Sequence, residues 1–313
     1  MKRGDAARAY HEATKHSEES LRRNPHHLDF ENQPLPFKIY PTLESIPLAP
    51  ELPALKSPAF RALSLRGDEA ERTEERVPDL TALARVLYLS AGITKRRRFA
   101  GGETFFRAAP CTGALYHIDL YVVCCALPGL PAGVYHFGPQ DFGLRRLRSG
   151  DHRAILSEAC GREPSIARAP AILVSASTYW RNAWKYQARA YRHCYWDAGT
   201  LHANLLGAAT TESLAPRIVT GFSDRDVEQL LGLDPAKEGA LTLIALGRTA
   251  VEPPPRPKPP DISFETAPLS RSEVDYPAIR EMHAASSLSS GADAEAWRQS
   301  TFEPEAPGAP GSV

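Results

Sequence analysis

The sequence predicts an α+β protein in which helices cover a sheet of mostly antiparallel strands. Three apolar segments, residues 118–125, 133–137 and 143–147, follow one another with only short turns between them. Strands joined by such short turns pair antiparallel, because a parallel connection needs a dozen residues or more. Segments with apolar residues at helical spacing lie before and after these strands, which favours helices packed on a sheet.

Helices are predicted on both sides of these strands. Residues 5–23 favour a short helix in the polar N-terminal part of the chain. A second helix begins after Asp79, has Leu and Ala at helical spacing, and ends at Gly92. We expect Gly92 to adopt the left-handed conformation that glycine accepts at a helix end, and Gly232 to close a later helix in the same way.

The second half of the globular region alternates strands and helices. Residues 171–176 and 241–246 are short apolar runs typical of buried strands. Residues 197–210, between them, are rich in Ala and Gly and predict a helix that packs closely against another element. Ser223 and Asp226 have the spacing of a capping box at the start of a last helix.

The chain divides into three parts by composition. Residues 1–55 are polar and then Pro-rich, and we interpret them as an N-terminal extension. Residues 56–250 have the pattern of one globular domain. Residues 251–313 begin with a Pro-rich spacer of polyproline type and continue into a weakly apolar, partly disordered tail.

Composition and charge exclude several classes of protein. The 313 residues are 42% hydrophobic, enough for a sizeable core, and the formal net charge is zero. A neutral balance predicts neither a nucleic-acid partner nor attraction to an anionic membrane, and no run of about 18 apolar residues is present to span one. The five cysteines lack C-x-x-C spacing and no signal-peptide segment follows the basic start, so we expect reduced thiols in a cytoplasmic protein.

Motifs of other enzyme classes are missing from the sequence. It contains no G-x-S-x-G elbow, no H-E-x-x-H helix, no P-loop and no glycine fingerprint after a strand. Neither the pair His26-His27 nor the pair His11 and His16 is accompanied by a cysteine or carboxylate set that would complete a metal site. We therefore expect no metal ion.

The first informative segment is a loop that leads directly into a strand. It consists of Pro110, Cys111, Thr112, Gly113 and Ala114. Small residues let backbone amides approach a flat polar ring or a phosphate. A tight loop into an edge strand is the alternative interpretation, and the residues alone do not separate the two.

The second informative segment, residues 179–204, brings aromatic and cationic side chains together just before the small-residue helix. Lys185 and Tyr186 are adjacent in it. A partly desolvated Lys or Tyr can exchange a proton near neutral pH if its pKa is lowered. The alternative is an amphipathic surface segment whose cations extend into solvent, and the spacing alone favours that alternative.

Five segments in consistent order over residues 10–248 resemble the SagB-type, or ThcOx-like, peptide dehydrogenases. These are flavin enzymes of the nitroreductase superfamily that act on azoline rings in modified peptides. The segments are 10–21 (YHEATKHSEESL), 83–94 (LARVLYLSAGIT), 109–123 (APCTGALYHIDLYVV), 189–210 (RAYRHCYWDAGTLHANLLGAAT) and 221–247, which begins GFSDRDVEQLLGLD.

The resemblance implies a nitroreductase-like α/β/α sandwich with FMN at an interface between two lobes. The loop at 110–114 would then lie along the isoalloxazine or the ribityl chain. Asn204 and Gly221 would lie near the flavin, and Gly247 and Arg248 near its phosphate, where a cation is favourable. Lys185 and Tyr186 match in position a Lys-Tyr pair to which the family assigns removal of the ring proton, while hydride passes to the flavin.

The chain departs from the family pattern at two places. The family's Arg-Arg-Ser-x-Arg cluster before the first core helix is absent from residues 60–80, where Arg61 or Arg66, or the basic run at 95–98, could replace it. Cys111 and Thr112 stand where the family has Ser-Ala, and His117 stands where it has Pro.

The sequence thus predicts an FMN-dependent dehydrogenase domain that acts on a small molecule or peptide. Residues 268–288 resemble the stretch between the two domains of tandem members, so we expect a homodimer or pairing with a second nitroreductase-like domain. One alternative is a degenerate, non-catalytic half that serves as a structural or binding partner. Another is an NAD(P)H-dependent nitro- or quinone reductase of the same fold.

Overall fold

A computed structural model describes the chain over residues 4–23, 25–49, 51–52, 58–64, 75–100, 102–257 and 261–300. Arg66 and the predicted disordered end at 303–313 lie outside these residues. The boundaries predicted at residues 55 and 250 stay predictions.

The described chain contains a seven-stranded sheet and a separate hairpin. The strands are β1 Ser45–Pro47, β2 Ile93–Phe99, β3 Gly102–Arg107, β4 Ile118–Cys124, β5 Gly133–Gly138, β6 Gly143–Ser149, β7 Ala171–Thr178, β8 Arg217–Val219 and β9 Glu238–Leu246. The sheet order is β1-β6-β5-β4-β7-β9-β8, and β2 pairs with β3 alone. Every pairing between these strands is antiparallel, which confirms the predicted sheet.

Helices cover both faces of this sheet. They are α1 Asp5–Thr14, α2 Glu18–Arg23, α3 Ala59–Ser64, α4 Leu80–Ala91, α5 Arg153–Ala159, α6 Pro164–Ala167, α7 Tyr179–Tyr186, α8 Ala190–Thr211, α9 Asp224–Leu231, α10 Pro277–Ser286 and α11 Gly291–Gln299. No helix in these ranges has the length and apolar character needed to cross a bilayer.

Alternation along the central strand β4 divides the interior into two cores. Leu120 and Val122 belong to the core that also contains α4 and α8, whereas Tyr121 and Val123 belong to the core that contains α5 and α9. Successive side chains of a strand point to opposite faces, so one apolar strand supplies both cores. The predicted α/β/α sandwich is therefore confirmed.

Three local predictions about the helices were wrong. Residues 5–23 form two helices separated by residues 15–17, not one. Gly92 is extended (φ −67°, ψ 156°), because the chain passes straight from α4 into β2. Glycine is still required at position 92, because the first carbon of any side chain there would lie only 2.6 Å from the Tyr88 carbonyl oxygen. Ser223 precedes α9 but makes no side-chain cap, because its hydroxyl donates to the Ser289 carbonyl instead.

The segment that follows the Pro-rich spacer packs on the body of the protein. The backbone N–H of Leu35 donates to Leu269 at 2.7 Å, and that of Ala267 donates to Ile39 at 2.9 Å. Ile279 of α10 is buried in the same core as α8. Gly232 closes α9 in the left-handed conformation (φ 67°), as predicted.

Candidate functional site

The loop predicted at 110–114 lies at one end of the sheet, where the chain enters β4. A short 3-10 turn, Thr112–Ala114, redirects the chain, and Gly113 adopts a left-handed φ of 66°. The first carbon of a side chain at Gly113 would lie 3.0 Å from Tyr186 Oη and 3.4 Å from Lys185 Cδ. The structure therefore brings together the loop and the Lys-Tyr pair, and glycine is what permits their close approach.

Lys185 and Tyr186 form the last turn of α7, which begins directly after β7. This helix is anchored by Arg181, whose side chain is fully buried. The Arg181 guanidinium donates to the two oxygens of Asp119 at 3.1 and 2.5 Å and to the Tyr116 carbonyl at 2.9 Å. Such a bidentate arginine–carboxylate ion pair is directionally specific, so it fixes α7 against the start of β4.

The two side chains of the pair are half-buried and adjacent in space. Lys185 Nζ lies 5.5 Å from the centroid of the Tyr186 ring, which stands edge-on to His193 with centroids 4.6 Å apart. Burial, and then the nearby charge of Asp197, raise the pKa of Tyr186 above its ordinary value. Tyr186 is therefore a neutral phenol near pH 7, able to donate a hydrogen bond.

Behind the loop, three side chains converge that the sequence analysis did not group. We call Cys111, His117 and Asp197 the loop cluster. The Cys111 thiol donates to Asp197 Oδ2 at 3.1 Å, and His117 Nε2 lies 2.8 Å from the same oxygen. Thr112 donates to Asp197 Oδ1 from its backbone N–H at 3.0 Å and from its hydroxyl at 2.7 Å. Asp197 thus joins α8 to the loop.

The negative charge of the loop cluster resides on Asp197. Burial alone would raise the pKa of its carboxyl, but hydrogen bonds from His117 and Thr112 bring that pKa below its ordinary value. Burial lowers the pKa of His117. Burial, together with the neighbouring Asp197, raises the pKa of Cys111 to about 12. At neutral pH the cluster therefore holds a carboxylate, a neutral imidazole and a neutral thiol.

The outer side of α8 next to the loop is open. Thr200 donates to the Pro110 carbonyl at 2.8 Å, and Asn204 Nδ2 donates to a backbone carbonyl just before the loop at 3.2 Å. Trp196 is 55% exposed, and among the described residues nothing approaches within 4 Å of the point where a side chain at Gly199 would begin. This surface allows the close approach that a flat ring or a second chain requires.

Gly247 and Arg248 lie at the opposite end of the sheet from the loop. Strand β7 pairs with the start of β4 at the loop end, and with the end of β9, just before Gly247, at the other. An eight-residue strand spans roughly 25 Å. Apart from Gly221, the predicted cofactor residues of one chain therefore fall into two separate groups, the loop with Asn204 and the pair Gly247 and Arg248.

The second group contains an arginine that the sequence analysis missed. Arg76 and Arg248 exchange backbone hydrogen bonds of 2.8 Å, and the carbonyl of Arg76 fills the space that a side chain at Gly247 would need. Arg162 and Arg168 line the same cleft of about 720 Å³ as Arg248, and so do three glutamate side chains. Like charges directly opposite in a ladder repel one another, so an anion such as a phosphate would reduce the repulsion between Arg76 and Arg248. Arg76 could have been identified from its position just before the first core helix, where the family has its arginine cluster.

Those proposed replacements for the family cluster that the structure describes lie elsewhere. Arg61 is exposed on α3, and the run at 95–98 is exposed on β2. Gly221 belongs to neither group, because its closest neighbour is the Trp297 ring of α11, 2.6 Å from where a side chain would begin. A role for Gly221 near a flavin stays a prediction.

The cavity behind the loop is small. Cys111, Tyr116 and Asp197 are among the residues that line it, and its volume is about 20 Å³. A space of this size holds one water molecule. A planar ring at this end of the molecule must therefore lie on the open outer side of the loop and α8.

Comparison with known proteins points to one family. The sequence profile of the nitroreductase family matches residues 89–248. The chain is 28% identical over 169 residues to a protein of Methanocaldococcus jannaschii named as a nitroreductase, covering 54% of this chain and 80% of that protein. It is 28% identical over 166 residues to the trifolitoxin-processing protein TfxB of Rhizobium leguminosarum bv. trifolii, covering 51% of this chain and 44% of that protein.

A solved structure extends the likeness to most of the chain. A protein of Anabaena variabilis named as a nitroreductase shares 29% identity and a TM-score of 0.69, covering 91% of this chain and 55% of that chain. The chain thus spans about half the length of both this protein and TfxB. The residues that the family profile matches include the loop, α7, α8 and the strands from β2 to β9.

Proposed function

The chain belongs to the nitroreductase family, and on this premise we propose that it is an FMN-dependent oxidoreductase that transfers hydride between a substrate and the flavin. The observation that carries the proposal is the contact of the loop at 110–114 with Lys185 and Tyr186, beside the open side of α8. A surface that admits a flat ring and a pair of side chains that can handle a proton are the two requirements of this reaction.

The residues present fit FMN at both ends. Gly199 offers surface without a side chain to a planar ring, beside the loop at 110–114. Arg76 and Arg248 offer positive charge to a phosphate. When bound, the flavin would supply the redox chemistry.

The chain's own side chains would orient the substrate and handle its proton. Tyr186, a neutral phenol, donates a hydrogen bond from Oη to an acceptor atom of the substrate. Lys185 Nζ, in its uncharged amine form, would take up the proton that the substrate loses when it is oxidised. Arg181 contributes indirectly, since its buried ion pair with Asp119 holds α7, and with it the pair, in place.

We propose that two such domains build each flavin site. Within one chain the loop and the Arg76–Arg248 pair lie at opposite ends of the sheet, roughly 25 Å apart, too far for one FMN molecule to contact both. The loop of one domain and the arginines of another would complete a site. A homodimer would provide this arrangement. Pairing with a second nitroreductase-like domain would also provide it, and the support for such pairing is that this chain covers only 55% of the Anabaena protein.

We propose a peptide as the substrate class, in particular one that carries an oxidisable azoline ring. The support is the likeness to TfxB, whose name states that it processes trifolitoxin, and the SagB-like Lys185-Tyr186 pair. We further propose a cytoplasmic location, because Cys111, Cys124, Cys125, Cys160 and Cys194 are all free thiols and reduced cysteines are typical of that compartment.

The first test is the flavin content of the purified full chain. We expect a yellow protein with about one FMN per chain, either as isolated or after reconstitution with FMN. Colourless protein that fails to take up added FMN, at concentrations that allow dimers, would instead favour the degenerate, non-catalytic half. Rapid NADPH oxidation without any peptide would favour the nitro- or quinone reductase.

The second test is Lys185→Ala in the FMN-loaded protein, assayed with a synthetic thiazoline peptide. Removing the proton acceptor should lower kcat by about 100-fold or more, with the flavin spectrum unchanged. The matched control is Lys95→Ala on the exposed hairpin, which should leave kcat unchanged. Loss of flavin from Lys185→Ala, or wild-type turnover, would contradict a role in proton transfer.

A further inference from the structure

The loop cluster has the composition of a metal site. Cys111 Sγ, His117 Nε2 and a carboxylate oxygen of Asp197 all lie within 4.8 Å of one another. We propose that these three side chains bind one zinc ion, which clamps the loop at 110–114 to α8. Thiolate, imidazole and carboxylate are the three side-chain ligands that zinc uses in proteins. This site would exist whether or not the chain binds a flavin.

The distances in the cluster are close to those that zinc requires. The Asp197 oxygen lies 2.8 Å from His117 Nε2 and 3.1 Å from Cys111 Sγ. With bonds of about 2.1 Å to nitrogen and oxygen and about 2.3 Å to sulfur, tetrahedral ligand atoms lie roughly 3.3 to 3.7 Å apart. These two pairs need to separate by only about half an ångström, which small side-chain rotations provide. The third pair, Cys111 Sγ and His117 Nε2, lies within 4.8 Å.

The charge of the cluster favours a divalent cation. Asp197 is 6% exposed, and its carboxylate faces the Cys111 thiol and a ring nitrogen of His117. When zinc binds, the Cys111 thiol releases its proton to solvent and bonds to the metal as a thiolate. One thiolate and one carboxylate then balance the two positive charges of the ion, so the buried site has no net charge.

Residues outside the loop cluster orient its ligands through hydrogen bonds. His117 Nδ1 lies 2.8 Å from the Ser177 hydroxyl, and the backbone N–H of Tyr116 donates to Cys111 Sγ at 3.2 Å. Metal-binding histidines usually have such a partner on the second ring nitrogen. The cavity of about 20 Å³ that Cys111 and Asp197 border has room for one water, which would be the fourth ligand.

Cobalt titration of the full chain, stripped of metal by a chelator, tests the proposal. One equivalent of Co²⁺ should produce a thiolate-to-cobalt charge-transfer band in the near ultraviolet, and one equivalent of Zn²⁺ should then remove it. Among the described residues, the second group of side chains that could ligate a metal, Asp224, Glu228 and His283, contains no cysteine and cannot give this band. We call that group the tail cluster. Absence of the band at one equivalent would overturn the proposal and leave a hydrogen-bonded cluster only.

Three variants locate the site. Cys111→Ser should lose the band, and Ser177→Ala should keep it with a roughly 10- to 100-fold lower affinity for the metal. Cys125→Ser is the control, because Cys125 is a half-buried free thiol outside the cluster. A band that persists in Cys111→Ser, or that disappears in Cys125→Ser, would contradict the assignment. If Cys111→Ser does not fold, the wild-type titration and Ser177→Ala decide.

Discussion

The loop cluster and the tail cluster contain similar side chains in opposite electrostatic arrangements. The loop cluster surrounds one carboxylate with neutral donors, so the charge of Asp197 is well solvated by the protein. The tail cluster places two carboxylates around one histidine. His283 Nε2 lies 3.0 Å from Glu228 Oε1 and 4.0 Å from Asp224 Oδ1.

The second arrangement places two carboxylates close together around one imidazole. Burial, opposed in part by the Leu288 N–H and by His283, raises the pKa of Asp224 to about 6, and the charge of Glu228 contributes to the rise. The tail cluster joins α9 to α10, and so holds the C-terminal tail on the body. The comparison teaches that a buried carboxylate stabilises this fold where donors outnumber charges, and costs free energy where charges compete for one donor.

The largest expected effect is on the loop cluster. Asp197→Ala should lower the free energy of unfolding by about 3 to 5 kcal/mol, because buried donors of Thr112 and His117 lose their shared acceptor. Urea denaturation at pH 7 measures it. Because the pKa of Asp197 is lowered in the fold, the difference from wild type should shrink only as pH falls below the ordinary 3.8.

The matched control for this variant is Asp261→Ala. Asp261 is exposed and accepts one hydrogen bond from Gln229, so its loss should change stability by no more than about 0.5 kcal/mol. A loss below about 1 kcal/mol for Asp197→Ala would break the comparison, since the loop cluster would then not anchor the loop.

Sequence patterns predicted most of the fold because the signals for strands and turns are local. The strands at 133–138 and 171–178 were predicted to within about two residues. The periodicity of apolar residues and the turn residues that flank a strand both depend on a few neighbouring positions. The conformation predicted for Gly92 was wrong because it is not decided locally. The path of the chain after α4, not the preference of glycine, decides its conformation.

The candidate site was only partly predictable. The loop and the Lys185-Tyr186 pair were singled out by their residue types, the resemblance gave them their expected roles, and the structure brings them together. The loop cluster was missed because Cys111 and Asp197 are 86 residues apart, and no local spacing indicates a contact between elements so distant in sequence. The tail cluster is hidden in the same way, since His283 lies 55 residues from Glu228.

A smaller effect of opposite sign is expected at the tail cluster. Asp224→Asn should raise the free energy of unfolding at pH 7.5 by about 1 to 3 kcal/mol, because it removes a carboxylate charge that burial disfavours. Since the folded-state pKa lies above the ordinary 3.8, the wild type loses stability as pH rises through about 6. The advantage of the variant should therefore be nearly gone at pH 4.

Asp226→Asn on the same helix is the control for this result. Its carboxylate pairs with Arg256 at 2.8 Å, so the variant should show no gain at either pH. Destabilisation by Asp224→Asn at pH 7.5 would show that the two carboxylates do not compete, for instance because a cation occupies the tail cluster.

The smallest expected effect is a difference in stability between variants of two buried tyrosines beside the tail cluster. Tyr191 Oη lies 2.9 Å from Ser286 Oγ and 3.3 Å from His283 Nδ1, whereas Tyr179 Oη has no hydrogen-bond partner in the described part of the chain. Tyr191→Phe should therefore cost about 1 kcal/mol, while Tyr179→Phe should be neutral or stabilise by up to about 1 kcal/mol. Thermal unfolding of the two matched variants measures the difference. Equal losses would mean that the Tyr179 hydroxyl also makes a bond in solution, and that the tail cluster has a further donor.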